Sequence, residues 1–170
     1  MMSRFFHRIK KTFLPKQQHA ILAIEQYIAE LEYLLVGINY QTTFEFVSLG
    51  KAKNLDEADV LFKKAFPKAQ DLQKVAKPIE LNRFWNCINI GLEYRGNTSS
   101  GIKTNEAYEK AISKTAQAYK TALNKSIDTN SQLFEYRSDI GIPDYPVFWA
   151  FRLLFTYKNN WYFIYGSASD

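Results

Sequence analysis

Val147-Phe148-Trp149-Ala150-Phe151-Arg152-Leu153-Leu154-Phe155-Thr156-Tyr157 and, after Lys158-Asn159-Asn160, Trp161-Tyr162-Phe163-Ile164-Tyr165 are the two runs that decide the fold. Both are rich in aromatic residues, and both alternate with a period of two, the signature of paired β-strands. Asparagine tolerates positive φ, so Asn159-Asn160 reads as a two-residue hairpin turn. With Lys158 opposite Trp161, Tyr157 faces Tyr162 and Phe155 faces Ile164. One face then carries Trp149, Phe151, Leu153, Phe155, Tyr157, Tyr162 and Ile164, nearly all apolar, and should meet the core. The other carries Phe148, Arg152, Leu154, Thr156, Lys158, Trp161, Phe163 and Tyr165. Either another element covers that second face or a partner does. Aromatic residues around an arginine are the composition of protein-interface anchors. Phe148, Arg152, Trp161, Phe163 and Tyr165 are therefore the partner-binding candidates.

Working back from the hairpin, Leu133–Arg137 alternates as a further strand. Gly141, Pro143, Asp144 and Pro146 lie in the connection after it. Upstream of about residue 131 the period becomes helical. Thr104 is positioned to cap a helix over 105–124, whose small residues suit close helix packing. The segment from Gly96 to Gly101 reads as a mobile surface loop. Its two glycines have phosphate-loop spacing, but Ile102 stands where that motif places lysine, and no apolar strand precedes it. Pro78 suits the first turn of a helix over 78–93, with Ile79, Phe84, Trp85, Ile88 and Leu92 inward. A helical stretch covers 68–76. Asn54 and Glu57 form a capping-box pattern before a helix over 55–66. Residues 39–50 read either as a strand or as a continued helix. Ile21, Ile24, Ile28, Leu31 and Leu35 step by three and four, giving an amphipathic helix over 17–36 that stops at Gly37.

The 170 residues suit one domain, and 46% hydrophobic content is enough for a core. The formal charge of +5 is unevenly placed: five of the 22 basic residues lie in 1–20, which holds no acid, leaving 17 basic against 17 acidic residues. The excess belongs to an N-terminal arm, residues 1–16, ahead of a mainly helical part over 17–124 and a sheet over 131–166. A nucleic-acid-binding domain spreads its charge over a face of the fold, so nucleic acid is disfavoured as a partner. Within the arm, Phe5, Phe6, Ile9 and Phe13 alternate with Arg4, Arg8, Lys10 and Lys11 at helical spacing. Such a segment either contacts an anionic membrane surface or packs its aromatic side on its own domain. No stretch is apolar enough for a membrane span, and no secretory signal follows the first residues. The lone cysteine, Cys87, excludes an internal disulfide, and a cytoplasmic setting is expected.

Catalytic chemistry finds little to build on. His7 and His19 both lie in or beside the arm. Cys87 sits among Phe84, Trp85 and Ile88, as a core thiol would. Asp56, Glu57 and Asp59 are placed as partners of a helix dipole. Glu135 and Asp139 lie in and just after a charged strand. No catalytic residue, cofactor or metal ligand set is therefore expected.

The ending Asn159-Asn160-Trp161-Tyr162-Phe163-Ile164-Tyr165-Gly166-Ser167-Ala168-Ser169-Asp170 resembles the closing strand of small bacterial immunity proteins, which neutralise contact-dependent-inhibition and other polymorphic toxins. The resemblance implies a non-enzymatic inhibitor binding one toxin domain. Many immunity proteins that block nucleases are acidic, whereas this chain is basic. The expected architecture is α+β, about five helices packed on a C-terminal antiparallel meander. A curved-sheet cone like that of nuclear transport factors is the alternative, with a pocket for a small ligand or substrate.

Overall fold

The computed structural model describes residues 16–97, 99 and 101–169, with side chains from residue 21 onward. The N-terminal arm, with Arg4, Arg8, Lys10 and Lys11, lies outside the described residues, as does His7; the side chain of His19 is also outside them. The fold is α+β. Its helices are α1 (Lys16–Leu34), α2 (Leu55–Ala65), α3 (Leu72–Val75), α4 (Leu81–Glu93) and α5 (Glu106–Asn124). Its strands are β1 (Gln41–Lys51), β2 (Ala76–Pro78), β3 (Leu133–Tyr136), β4 (Trp149–Tyr157) and β5 (Asn160–Ser169). They form one antiparallel sheet in the order β1-β5-β4-β3-β2.

The hairpin forms with a shifted register. Lys158 and Asn159 are the turn residues, at φ 49° and 63°, and Asn160 already pairs with Tyr157. Two consecutive positive φ values suit a tight turn whose twist matches that of the strands. Phe155 consequently faces Tyr162, and Leu153 faces Ile164. The shift is by two residues, an even number, so the side chains paired in β4 and β5 keep their expected faces.

The sheet is not confined to the C-terminal part. Residues 39–50 resolve as the long strand β1, paired along β5. Pro78 does not open a helix; it closes β2, paired with Phe134. An edge strand tolerates the missing N–H, and α4 starts three residues later. The helical stretch expected over 68–76 shrinks to the single turn of α3. Asn105, not Thr104, caps α5, its Oδ1 accepting from Tyr108 N–H at 2.9 Å.

Helices cover both faces. On the first, α1, α4 and α5 pack over Phe44, Phe46, Trp149, Phe151, Leu153, Phe155, Tyr162 and Ile164. The α1 stripe read from sequence does this work: Ile24, Ile28, Leu31 and Leu35 are all buried. On the second face, α2 and the segment after it pack Phe62, Phe66, Ala69 and Leu72 over Leu154, Trp161, Phe163 and Tyr165. Asn54 caps α2 as expected, its Oδ1 accepting from Glu57 N–H, but Glu57 Oε2 reaches one residue past the cap and accepts from Lys53 N–H, both at 2.9 Å. Asp59 does more than face a dipole. It is buried, and its Oδ1 accepts from Leu72 N–H at 2.7 Å, tying α3 to α2. Lys63 bridges Asp59 and Asp71. Together with Lys74 it holds the Asp71 carboxyl down to about 2.

Burial pushes the hydroxyls of Tyr40 and Tyr165 up to about 12, and raises those of Tyr119 and Tyr136. An unfolded tyrosine ionises near pH ~10. The stability these groups contribute is whole below that pH and is lost as pH climbs through their folded values. Alkaline unfolding should therefore be steep between about pH 10 and 12. Phenolate absorbance should rise together with loss of near-ultraviolet circular dichroism. A gradual phenolate titration near pH ~10 in a still-folded protein would contradict the burial of these rings.

Candidate functional site

The five partner-binding candidates do not form a surface. Trp161 is 1% exposed, Phe163 and Tyr165 are also buried, and α2 is the cover. Phe163 meets Phe62 at 5.0 Å and Phe66 at 5.3 Å, and Phe66 meets Tyr165 at 6.2 Å. Trp161 stacks on Phe134 at 5.7 Å, and its Nε1–H donates to the Ala52 carbonyl at 3.0 Å. Phe148 has left the second face altogether. Val147 N–H and Phe148 N–H both donate to the Ala168 carbonyl, an irregularity that turns the Phe148 ring toward Tyr40 and Tyr94. Arg152 is spent on Asp144, with Nη2 and Oδ2 2.7 Å apart.

What remains open is one end of the sheet, where β1 begins, β5 ends and β4 begins. Gln41 pairs with Ser169, and both Thr42 and Trp149 pair with Ala168. Three connections meet there: residues 35–40, 94–105 and 137–148. Gly37 N–H donates to the Tyr40 carbonyl, and Ile38 N–H to the Gly101 carbonyl, joining the first connection to the second. Gly96, at φ 80°, lies with its Cα face against Gly101, where a side chain would collide with backbone. Gly101 N–H and Ile102 N–H donate to the Asn97 and Arg95 carbonyls at 2.8 Å, bringing the ends of the expected loop together; Thr98 and Ser100 lie outside the described residues.

An aromatic base, with Tyr40 buried and Tyr94 and Phe148 half-buried, links these connections. Tyr40, Tyr94 and Phe148 lie 5.6 to 5.9 Å from one another. Trp149 Nε1–H donates to the Tyr40 hydroxyl at 3.0 Å. On or just before these connections large apolar groups face solvent: Tyr33, in the last turn of α1, is 77% and Tyr145 78% exposed, and Val36, Ile38, Ile140 and Val147 are exposed too. Tyrosines on a rigid base suit protein recognition, since little entropy is lost when they are fixed. Sequence reasoning missed these residues. Their signal was there as apolar side chains outside every periodic stripe, among the prolines of 143–146 and after the end of α1.

Elsewhere the chemistry is quiet. Cys87 is buried, and burial pushes its thiol up, away from the nucleophilic form. Glu135 pairs with Arg83 and Arg137 rather than with Asp139. Among the described residues, no group of histidine, cysteine and carboxylate side chains is placed to hold a metal, and no helix is long and apolar enough to cross a membrane. A polar recess of about 320 Å³ lies at the β4–β5 turn, lined in part by Lys53, Asn130, Gln132, Thr156 and Lys158. It sits at the end of the strands and not within a curved sheet, both of whose faces are filled by side chains.

No family model matches the chain, and no curated protein matches it. The fold is similar to that of citrus MAF1 in two crystal forms, each with a TM-score of 0.53. Identity is 9% in one and 10% in the other. The alignments cover 84% of this chain and 99% of that one, and 85% and 97%. At such identity the likeness concerns the fold alone.

Proposed function

We propose that this protein works by binding another protein, without catalysis, through the open end of its sheet. The observation that carries this reading is the set of exposed apolar side chains on the connections at this end, Ile38, Tyr145 and Val147, together with the exposed Tyr33 in the last turn of α1. Exposed aromatics on mobile loops would lose entropy on binding; here Tyr33 stands on α1, and the Tyr145 connection is pinned by Ile142 N–H to the Asp139 carbonyl and Val147 N–H to the Ala168 carbonyl. The likeness of the closing strand to bacterial immunity proteins supplies a specific form of the reading, in which the partner is a toxin domain met in the cytoplasm.

The test is affinity capture from lysate of the source cell, with the tagged full chain as bait, followed by calorimetry on the recovered partner. Tyr33→Ala and Tyr145→Ala should each weaken that complex by about 30-fold, the scale of an aromatic hot spot. Their unfolding midpoints should stay at the wild-type value. Unchanged affinity in both variants would sink the assignment of this end as the binding surface. Recovery of the C-terminal domain of a large secreted protein would support the immunity form.

A further inference from the structure

We propose that the groove between α4 and α5 is a binding track for single-stranded nucleic acid. Beyond residue 20 the chain is neutral in sum but not in distribution. Residues 81–125, from the start of α4 to the C-cap of α5, hold seven basic and three acidic residues, and the rest of that part holds ten and fourteen. The positive charge is concentrated on α5. Lys110, Lys114 and Lys125 are exposed and, with Gln117 and Thr121, step by four, three, four and four, so they form one outer ridge. Lys110 and Lys114 stand one turn apart, about 6 Å along the axis, and Lys125 three turns further, about 16 Å. No acid interrupts the sequence from Lys110 to Lys125. The acids of this part gather at one end: Glu93 closes α4, and Glu106 and Glu109 open α5, where Glu109 pairs with Arg95 at 3.2 Å. On the flank of α5 that meets α1, Glu30 Oε1 accepts from Thr115 Oγ1 at 2.9 Å.

The groove beside this ridge supplies the rest of the recognition chemistry. Two recesses of about 380 and 160 Å³ lie along the helices and share Gln117 and Lys120. Lys120 Nζ donates to Asn89 Oδ1 across the groove at 3.0 Å. The larger recess is lined by Trp85, Gln117, Lys120, Thr121 and Asn124. Trp85 is half-buried, edge-on to Phe84 at 5.4 Å, and the remainder of its indole is open to this recess. An accessible ring beside a row of lysines stacks unpaired bases while the cations follow the phosphates. Asparagine and glutamine amides both donate and accept, as the edges of bases require. A duplex is the poorer ligand, because its bases are already stacked and do not reach the indole. An acidic peptide would satisfy the lysines and leave Trp85 without a planar partner. Net charge conceals this track, which is why the sum over the body speaks against nucleic acid while the distribution speaks for it.

The test uses the full chain with fluorescein-labelled, mixed-sequence RNA and DNA strands of about 15 nucleotides. Anisotropy should show binding at low salt that weakens about 50-fold between roughly 50 and 200 mM salt, as contacts from four lysines predict. The Lys110→Gln/Lys114→Gln variant changes two exposed side chains and should keep the wild-type unfolding midpoint. Its binding should be about tenfold weaker, and its log–log salt slope shallower by about 1.4. With unlabelled strands, tryptophan emission should fall, and that signal belongs to Trp85, since Trp149 is 7% and Trp161 1% exposed. Tighter binding of RNA than of DNA would name RNA as the ligand, and equal binding would admit both; either result supports the track. Absence of binding at low salt, unchanged affinity in the double variant, or binding without a change in tryptophan emission would each overturn it. Displacement by poly-glutamate as readily as by an oligonucleotide would also overturn it, assigning the lysines to an acidic protein segment.

Discussion

Trp161→Ala should lower the unfolding free energy by about 3–5 kcal/mol, the range for deleting a buried aromatic side chain. Three losses add up at this position. The indole is 1% exposed, so its whole apolar area is withdrawn from water. It stacks on Phe134 at 5.7 Å, joining two strands. Its Nε1–H donates to the Ala52 carbonyl at 3.0 Å, so truncation removes a buried donor and leaves that carbonyl without it. In a domain of this size the thermal midpoint should fall by about 10 °C. Trp161→Phe keeps the ring but not the donor, and should recover most of the loss. A Trp161→Ala variant that unfolds with the wild-type midpoint would return this residue to the surface and restore it as a partner contact.

That reversal shows where the sequence is readable and where it is not. Alternation from Trp149 to Tyr165 identifies two strands and assigns each side chain to a face. It survived even a misplaced turn, because moving the turn from Asn159-Asn160 to Lys158-Asn159 shifts the pairing by an even number of residues. What alternation does not carry is which faces receive a cover. The α2 stripe of Ala58, Phe62 and Phe66 is plainly amphipathic, yet nothing in it names the sheet face it will meet. Trp161, Phe163 and Tyr165 therefore looked like an interface when they are the floor of a second core.

Pairings distant in sequence were hidden for a similar reason. Thr42–Val47 has strand composition, but its partner is more than a hundred residues away in β5. Pro78 reads locally as a helix start, and only the arrival of Phe134 beside it makes it an edge strand. Phe148 was misassigned by one irregular pair of hydrogen bonds to Ala168. The exposed site escaped because apolar loop residues such as Ile38, Tyr145 and Val147 belong to no period. Their meaning appears only when three connections are brought to one end of the sheet.

The second large effect is expected at the Arg152–Asp144 pair. Arg152→Met should destabilise the protein by about 3–5 kcal/mol, the cost of leaving a buried charge without its partner. The Asp144 side chain is 0% and the Arg152 side chain 12% exposed, and their charged atoms approach to 2.7 Å. The contact is Coulombic more than directional: neither Asp144 oxygen, nor Arg152 Nε or Nη2, completes a well-aligned hydrogen bond. With the guanidinium gone, the Asp144 carboxylate must leave its site or carry its desolvation alone. Either way the 137–148 connection loosens, and that connection presents Tyr145. The double variant Arg152→Met/Asp144→Leu removes both charges and should regain most of the lost stability, since well-packed apolar pairs often match buried ion pairs. A double-mutant cycle in chemical denaturant measures the coupling. Simple additivity of the two single variants would mean that the pair does not hold the connection. Strong coupling would make Arg152 the residue that positions the binding loop from beneath, a role in partner recognition exerted through Asp144 rather than by contact.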